Sequence, residues 1–234
     1  MMAEAEQILD SINDFLESQE TKNVSLVFCP PLVFVEEVSR ILKTSHLSHQ
    51  AFLGVQDIAT EDGPMLKELG ADYVIVGHSE RRWKLGESNE IVNKKIKSVL
   101  GNELIPIVCI GEKVRDQNFK DFLEEQVKAT LFGLSSDEVG KCIFAYEPVW
   151  AISTSPDARP DSPESAVESI SVIKTYLFEN FGIKTSPLFL YGGSVNSRNI
   201  KNFIVQKEID GVLVGGASID REEFVKILFI VSKS

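Results

Sequence analysis

Apolar positions recur along the chain in two rhythms. Short continuous runs carry no polar alternation: VSLVF (Val24–Phe28), AFLGV (Ala51–Val55), YVIV (Tyr73–Val76), IPIVCI (Ile105–Ile110), IFAYE (Ile143–Glu147), LFLY (Leu188–Tyr191) and VLVG (Val212–Gly215). Runs this short and this rich in β-branched residues predict parallel strands covered on both faces. Between them the period lengthens to that of a helix. Ala3–Leu16 sets Ile8, Leu9, Ile12, Phe15 and Leu16 on one stripe. Further helices are predicted near Phe34–Leu42, at MLKEL, and near Asn89–Leu100, Phe119–Leu131, Ser165–Phe181, Asn199–Val205 and Glu222–Val231.

Strand and helix alternate to the end of the chain, which is the pattern of a wound α/β fold. No linker-like stretch divides it, so residues 1–234 are read as one domain. Seven strands follow an opening helix. A small barrel closes comfortably with eight. The pattern therefore reads as an eightfold barrel without its first strand, with an open doubly wound sheet as the competing arrangement.

Composition narrows the function. The chain has 234 residues, is 43% hydrophobic and 25% charged, and carries a formal net charge of −11. That charge leaves no basic excess to neutralise phosphates, so nucleic-acid binding is not expected. A small anion can still bind where the local field is positive. No apolar run has the length of a membrane span, and the acidic, helical N-terminus is unlike a secretory signal. Cys29, Cys109 and Cys142 are odd in number and far apart, which fits reduced thiols in a cytoplasmic protein. His46 and His49 are three apart in a polar loop, without an acidic or cysteine partner at hand, so no metal site is expected.

In parallel α/β proteins chemistry collects at the C-terminal ends of strands. Four ends here are unusual: Gly77-His78-Ser79-Glu80-Arg81-Arg82, Glu147 in AYEPVWAI, YGGSV at Tyr191–Val195, and VGGAS at Val214–Ser218. Singly, each has a bland reading: a capping histidine, a solvated acid, two tight turns before helices. Together they lie on one rim. Moving a proton between carbons beside a carbonyl needs a carboxylate base and a donor that polarises the oxygen. A neutral imidazole at a helix N-terminus suits the second task. Amides of Gly215 and Gly216, opening toward a helix, suit a phosphate.

GHSERR, AYEPVWAI, YGGSV and VGGAS, in this order and spacing, resemble the triosephosphate isomerase family; CPP at Cys29–Pro31 and PIVCIGE at Pro106–Glu112 also match. The resemblance runs from Ala3 to the C-terminus and implies a TIM (β/α)8 barrel. It implies an enzyme that interconverts dihydroxyacetone phosphate and glyceraldehyde 3-phosphate, in glycolysis and gluconeogenesis, with no metal or organic cofactor. Glu147 would be the base and His78 the electrophile, an assignment this family illustrates in general accounts of catalysis. Ser153, Ser194, Gly215 and Gly216 would bind the substrate phosphate, with Glu80 and Tyr191 in support. Pro148 to about Pro160 would form a lid that Tyr191 helps to latch.

The sequence departs from the family in three places. The opening strand and its lysine have no counterpart, so a shortened sequence is the expectation, with Val24–Phe28 and Val212–Gly215 at free edges. Gly63 runs directly into Pro64 where the family has a longer loop, which implies a weakened homodimer. The lid carries Ser153 and Ser155 where the family prefers glycine, and Pro156 and Pro160 would stiffen its far hinge. The runner-up function is a phosphate-binding protein on the same scaffold with impaired catalysis. Another phosphate-binding barrel enzyme ranks third, because it leaves the paired His78 and Glu147 unexplained.

Overall fold

The computed structural model describes residues 2–18, 24–44, 50–152 and 158–234, with no side-chain detail for residues 2–6, 17 and 18. His46, His49, Ser153, Ser155 and Pro156 lie outside the described residues. In chain order the elements are α1 (Met2–Ser18), β1 (Leu26–Phe28), α2 (Val35–Thr44), β2 (Ala51–Val55), α3 (Gly63–Leu69), β3 (Tyr73–Val76), α4 (Ser79–Lys84), α5 (Asn89–Gly101) and β4 (Ile105–Ile110). They continue as α6 (Phe119–Thr130), α7 (Ser136–Gly140), β5 (Ile143–Tyr146), α8 (Pro163–Phe181), β6 (Phe189–Tyr191), α9 (Ile200–Ile204), β7 (Gly211–Val212) and α10 (Arg221–Val231).

All seven strands pair in parallel, each with its neighbour in sequence, from β1 to β7. A doubly wound sheet reverses its strand order at a switch point; this one never does, so it is barrel-type. Among the described residues no eighth strand joins β7 to β1, and these two are the sheet edges. Helices start where the local chemistry favours them. Ser88 and Ser162 accept hydrogen bonds from the amides three residues on, and Pro163 occupies the first turn of α8. The short α7 has no long apolar period. Its capping box, Ser135 with Glu138, was the available signal.

The strands are continuously apolar because each face meets its own partner layer. Val74, Val76, Val108, Phe144 and Tyr146 belong to the large cluster that the helices cover. Ile75, Ile107, Cys109 and Ala145 form a smaller cluster on the other face, built from strand residues. Glu147 continues the Ala145 side of β5 one pleat further, so period-two alternation aims it into the mouth of the inner face. The edges are thinner: Val27, Phe28, Gly211 and Val212 are half-buried, whereas Val108, Phe144 and Ala145 have no exposed surface.

Candidate active site

β5 holds Glu147 between two strands that reach past their own regular ends. Glu147 N donates to Ile110 O at 2.8 Å, and Gly192 N donates to Tyr146 O at 2.7 Å. Its neighbours there are glycines. A Cβ added at Gly111 would stand 2.6 Å from the Glu147 carbonyl carbon, and one at Gly192 would stand 2.9 Å from Glu147 Cγ. Both distances lie well inside van der Waals contact, so only glycine admits Glu147 at this point. Gln126 on α6 accepts the Gly111 amide at 2.8 Å and fixes the loop from below.

His78 arrives from β3 as the N-cap of α4. Glu80 N donates to its Nδ1 at 3.3 Å, and an accepting Nδ1 carries no proton. The ring proton therefore sits on Nε2, 3.1 Å from Glu147 Oε1. Ser79 N donates to Glu147 Oε2 at 2.7 Å. One turn thus brings an amide donor and the imidazole to one carboxylate. Glu147 is 2% exposed, and burial raises its pKa above the usual glutamate value, partly offset by His78, the Ser79 amide and Arg82. A carboxyl so placed is a stronger base than one in water.

Arg82 braces the arrangement from beneath. It is buried and donates to Gly77 O at 2.7 Å, Asn89 Oδ1 at 2.6 Å, Cys109 O at 3.3 Å and Thr130 Oγ1 at 3.4 Å. Beside it Cys109 is fully buried, and its thiol pKa is pushed up by burial first and by Glu147 second. Arg81 turns the other way and pairs with Asp57 at 2.8 Å and Glu87 at 2.9 Å, which also neutralise buried Lys95. Lys84 pairs with Glu80 at 2.5 Å on the surface. These three cations of the GHSERRWK turn are thus committed within the fold.

The expected residues fall into two groups. Glu147 and His78 are brought into contact. Glu80 contributes through its amide, while its carboxyl faces solvent with Lys84. Tyr191 is buried, stacked on Phe203 at 4.1 Å between centroids. Ser194 ends the β6 turn, its carbonyl accepting from Asn199 Nδ2 at 3.0 Å; Asn199, rather than Ser194, caps α9. Gly215 and Gly216 are exposed past β7, where Gly216–Ser218 forms one 3-10 turn before α10.

Sequence reasoning missed the Ser79 amide, Arg82 and the two glycines beside Glu147. Ser79 and Arg82 are three apart on one face of α4, a spacing that does mark the buried side. Nothing in the sequence marks Gly111, whose need arises across strands. Glu112 was likewise read only as part of a motif. It is 1% exposed, and its Oε1 accepts from Tyr146 Oη and Trp150 Nε1, each at 2.9 Å.

A sequential, all-parallel barrel-type sheet with a buried carboxylate and an imidazole in contact at its rim defines a class: α/β-barrel proteins that carry a candidate acid–base pair at the strand ends. Comparison with known proteins gives the family. The model of the family described as triosephosphate isomerase matches residues 1–231. The triosephosphate isomerase of Dictyoglomus turgidum is 37% identical, with 97% of this chain and 93% of that protein covered. That of Moorella thermoacetica is 39% identical over 89% of this chain and 86% of its own length. The crystal structure of triosephosphate isomerase from Bartonella henselae superposes with a TM-score of 0.78 at 27% identity, covering 95% of this chain and 90% of that one. The chain belongs to the triosephosphate isomerase family and is an isomerase of the α/β class with that fold.

Proposed function

We propose that this chain interconverts dihydroxyacetone phosphate and D-glyceraldehyde 3-phosphate through an enediolate, with Glu147 as the base and His78 as the electrophile. The observation that carries this reading is the 3.1 Å approach of His78 Nε2 to Glu147 Oε1. It puts a buried proton acceptor beside a proton donor that is still partly open to solvent. A substrate carbonyl oxygen that takes the Nε2 proton as its hydrogen-bond partner must displace the carboxylate. Glu147 then turns onto the neighbouring carbon. The carboxylate removes that carbon's proton, the C–H electron pair forms the C=C bond, and the carbonyl electrons move onto the oxygen that His78 faces. Return of the proton to the adjacent carbon completes the exchange without a redox step. Amides of Gly215 and Gly216, with Ser194 and Ser153, are the proposed phosphate seat, and Pro148 to Pro160 is the proposed lid.

A coupled isomerisation assay tests it. Glu147→Gln keeps the side-chain shape and removes the base, so turnover should fall by about a thousandfold or more. Unchanged turnover refutes the assignment. A second reading, binding without efficient turnover, is favoured by the commitment of Arg81, Arg82 and Lys84 to other partners. It predicts phosphoglycolate affinity no greater than that for inorganic phosphate, because only a site with base and electrophile aligned prefers the analogue.

A further inference from the structure

Asp220 and Glu223 occupy the N-cap and third positions of α10, the spacing of a capping box. The short helix α7 shows what that spacing ordinarily does. Ser135 Oγ accepts the Glu138 amide at 3.3 Å, and Glu138 Oε2 reaches back to accept Ser135 N at 2.8 Å. In α10 the first half is made, with Glu223 N donating to Asp220 Oδ1 at 3.1 Å. The Glu223 carboxyl is used differently. Its Oε1 accepts the amide of Ser197, 26 residues away in sequence, at 2.6 Å.

Ser197 and Glu223 belong to two different arms of the rim. One arm leaves β6 and is folded on itself by Asn199, whose Nδ2 donates to Ser194 O at 3.0 Å and whose Oδ1 accepts Asn196 N at 2.8 Å. The other leaves β7 and turns where Gly215 O accepts from Ser218 N at 2.9 Å and Ser218 Oγ at 2.7 Å, then enters α10 through Asp220. The strands beneath them share a backbone bond from Leu213 N to Tyr191 O at 2.9 Å. Beyond that rung each arm is shaped by these local bonds, and the Ser197–Glu223 bond crosses from one arm to the other.

An acid is a poor choice here unless position is what it supplies. A negative charge on this part of the rim opposes any anion bound there, and the charge is kept: the Ser197 amide holds the Glu223 carboxyl below the usual glutamate range. We infer that Glu223 is a positioning residue that sets the spacing between the two arms of the phosphate seat, Ser194 on one and Gly215 with Gly216 on the other. It acts through the Ser197 amide and touches no phosphate oxygen. Without it the arms move independently, and ordering them is charged to binding. The inference rests on the proposed assignment of that seat.

Calorimetry with inorganic phosphate on three variants tests it. Glu223→Ala should bind phosphate about tenfold more weakly, since the hydrogen bond to a charged acceptor that ordered the arms is gone. Glu223→Gln still offers an acceptor oxygen, without the charge, and should bind within about twofold of the parent. Glu222→Ala removes an exposed acid from the same helix turn and should leave affinity unchanged. In the isomerisation assay the Glu223→Ala loss should fall on KM, with kcat changed less than about twofold, because Glu147 and His78 stand on other strands. Amide exchange reads the tie without a ligand: Ser197 N–H should exchange slowly in the parent and in Glu223→Gln, and fast in Glu223→Ala. Undiminished phosphate affinity in Glu223→Ala overturns the inference and leaves the seat standing. An equal loss in Glu223→Gln or Glu222→Ala also overturns it, by assigning the effect to charge at the helix N-terminus. A parent that binds no phosphate overturns the seat itself, and the inference with it.

Discussion

Two stretches of the rim use glycine for opposite reasons. Around Glu147, Gly111 and Gly192 are hemmed in, because a Cβ at either would collide with Glu147 itself. Past β7, Gly216 has no protein atom within 4 Å of where a Cβ would go. The first region is shaped by the protein's own packing: β4, β5 and β6 close on a carboxylate that is 2% exposed, accepts from Ser79 N and has His78 Nε2 at 3.1 Å. The second lies at a half-buried sheet edge and is held by its own turn, where Gly215 O accepts from Ser218 N at 2.9 Å and from Ser218 Oγ at 2.7 Å. A base is made strong by exclusion of water, whereas an anion seat works by offering backbone amides outward. The fold spends its tightest packing on the group whose protonation must be controlled.

The sharpest way to break this contrast is at Gly111. An alanine there forces β4 away from β5 at the residue that carries the base. Gly111→Ala should cost about 3 kcal/mol or more of stability, beyond the usual 1–3 kcal/mol of overpacking, because the obstacle is backbone. Chemical denaturation measures it; a loss below about 1 kcal/mol would mean that the two strands are not locked together. Arg82 comes next. Replacing this buried cation with methionine strands the Gly77 and Cys109 carbonyls and should cost roughly 3–5 kcal/mol. Arg81→Met, at a partly exposed pair, should cost about 1 kcal/mol or less. Equal costs at the two positions would erase the distinction between the brace beneath Glu147 and the surface around it.

These effects bear on how much could be read from the chain alone. The seven strands were legible because a parallel strand covered on both faces leaves an uninterrupted apolar run, as YVIV and IPIVCI do. Their order was not, since the runs alone also fit a doubly wound sheet and only the family resemblance implied a barrel. Their ends were less legible. The run VLVG extends to Gly215, but β7 pairs only at Gly211 and Val212, since an edge strand lacks a neighbour on one side. His78 and Glu147 stood out as unlike their flanks, each polar at the end of an apolar strand. Gly111 and Arg82 did not. Their environments are made by contacts between segments far apart in sequence, and a glycine after a strand or an arginine in a charged turn has no local mark of burial. Glu80 shows the reverse error: its acid was conspicuous, yet the amide is what holds His78.

The smallest expected effect on the fold is at Gly216, and there the comparison is sharpened rather than broken. Its φ lies outside the left-handed region and no atom stands near the added methyl, so Gly216→Ala should change stability by less than about 0.5 kcal/mol. The same methyl would project beside the amides proposed to face a phosphate. Affinity for inorganic phosphate, measured by calorimetry on the folded variant, should fall about tenfold, the loss of roughly one hydrogen bond to a charged acceptor. Stability and affinity thus separate at Gly216, where at Gly111 they fall together. If Gly216→Ala binds phosphate as well as the parent does, the seat lies elsewhere on the rim, and the glycines after β7 serve only to turn the chain into α10.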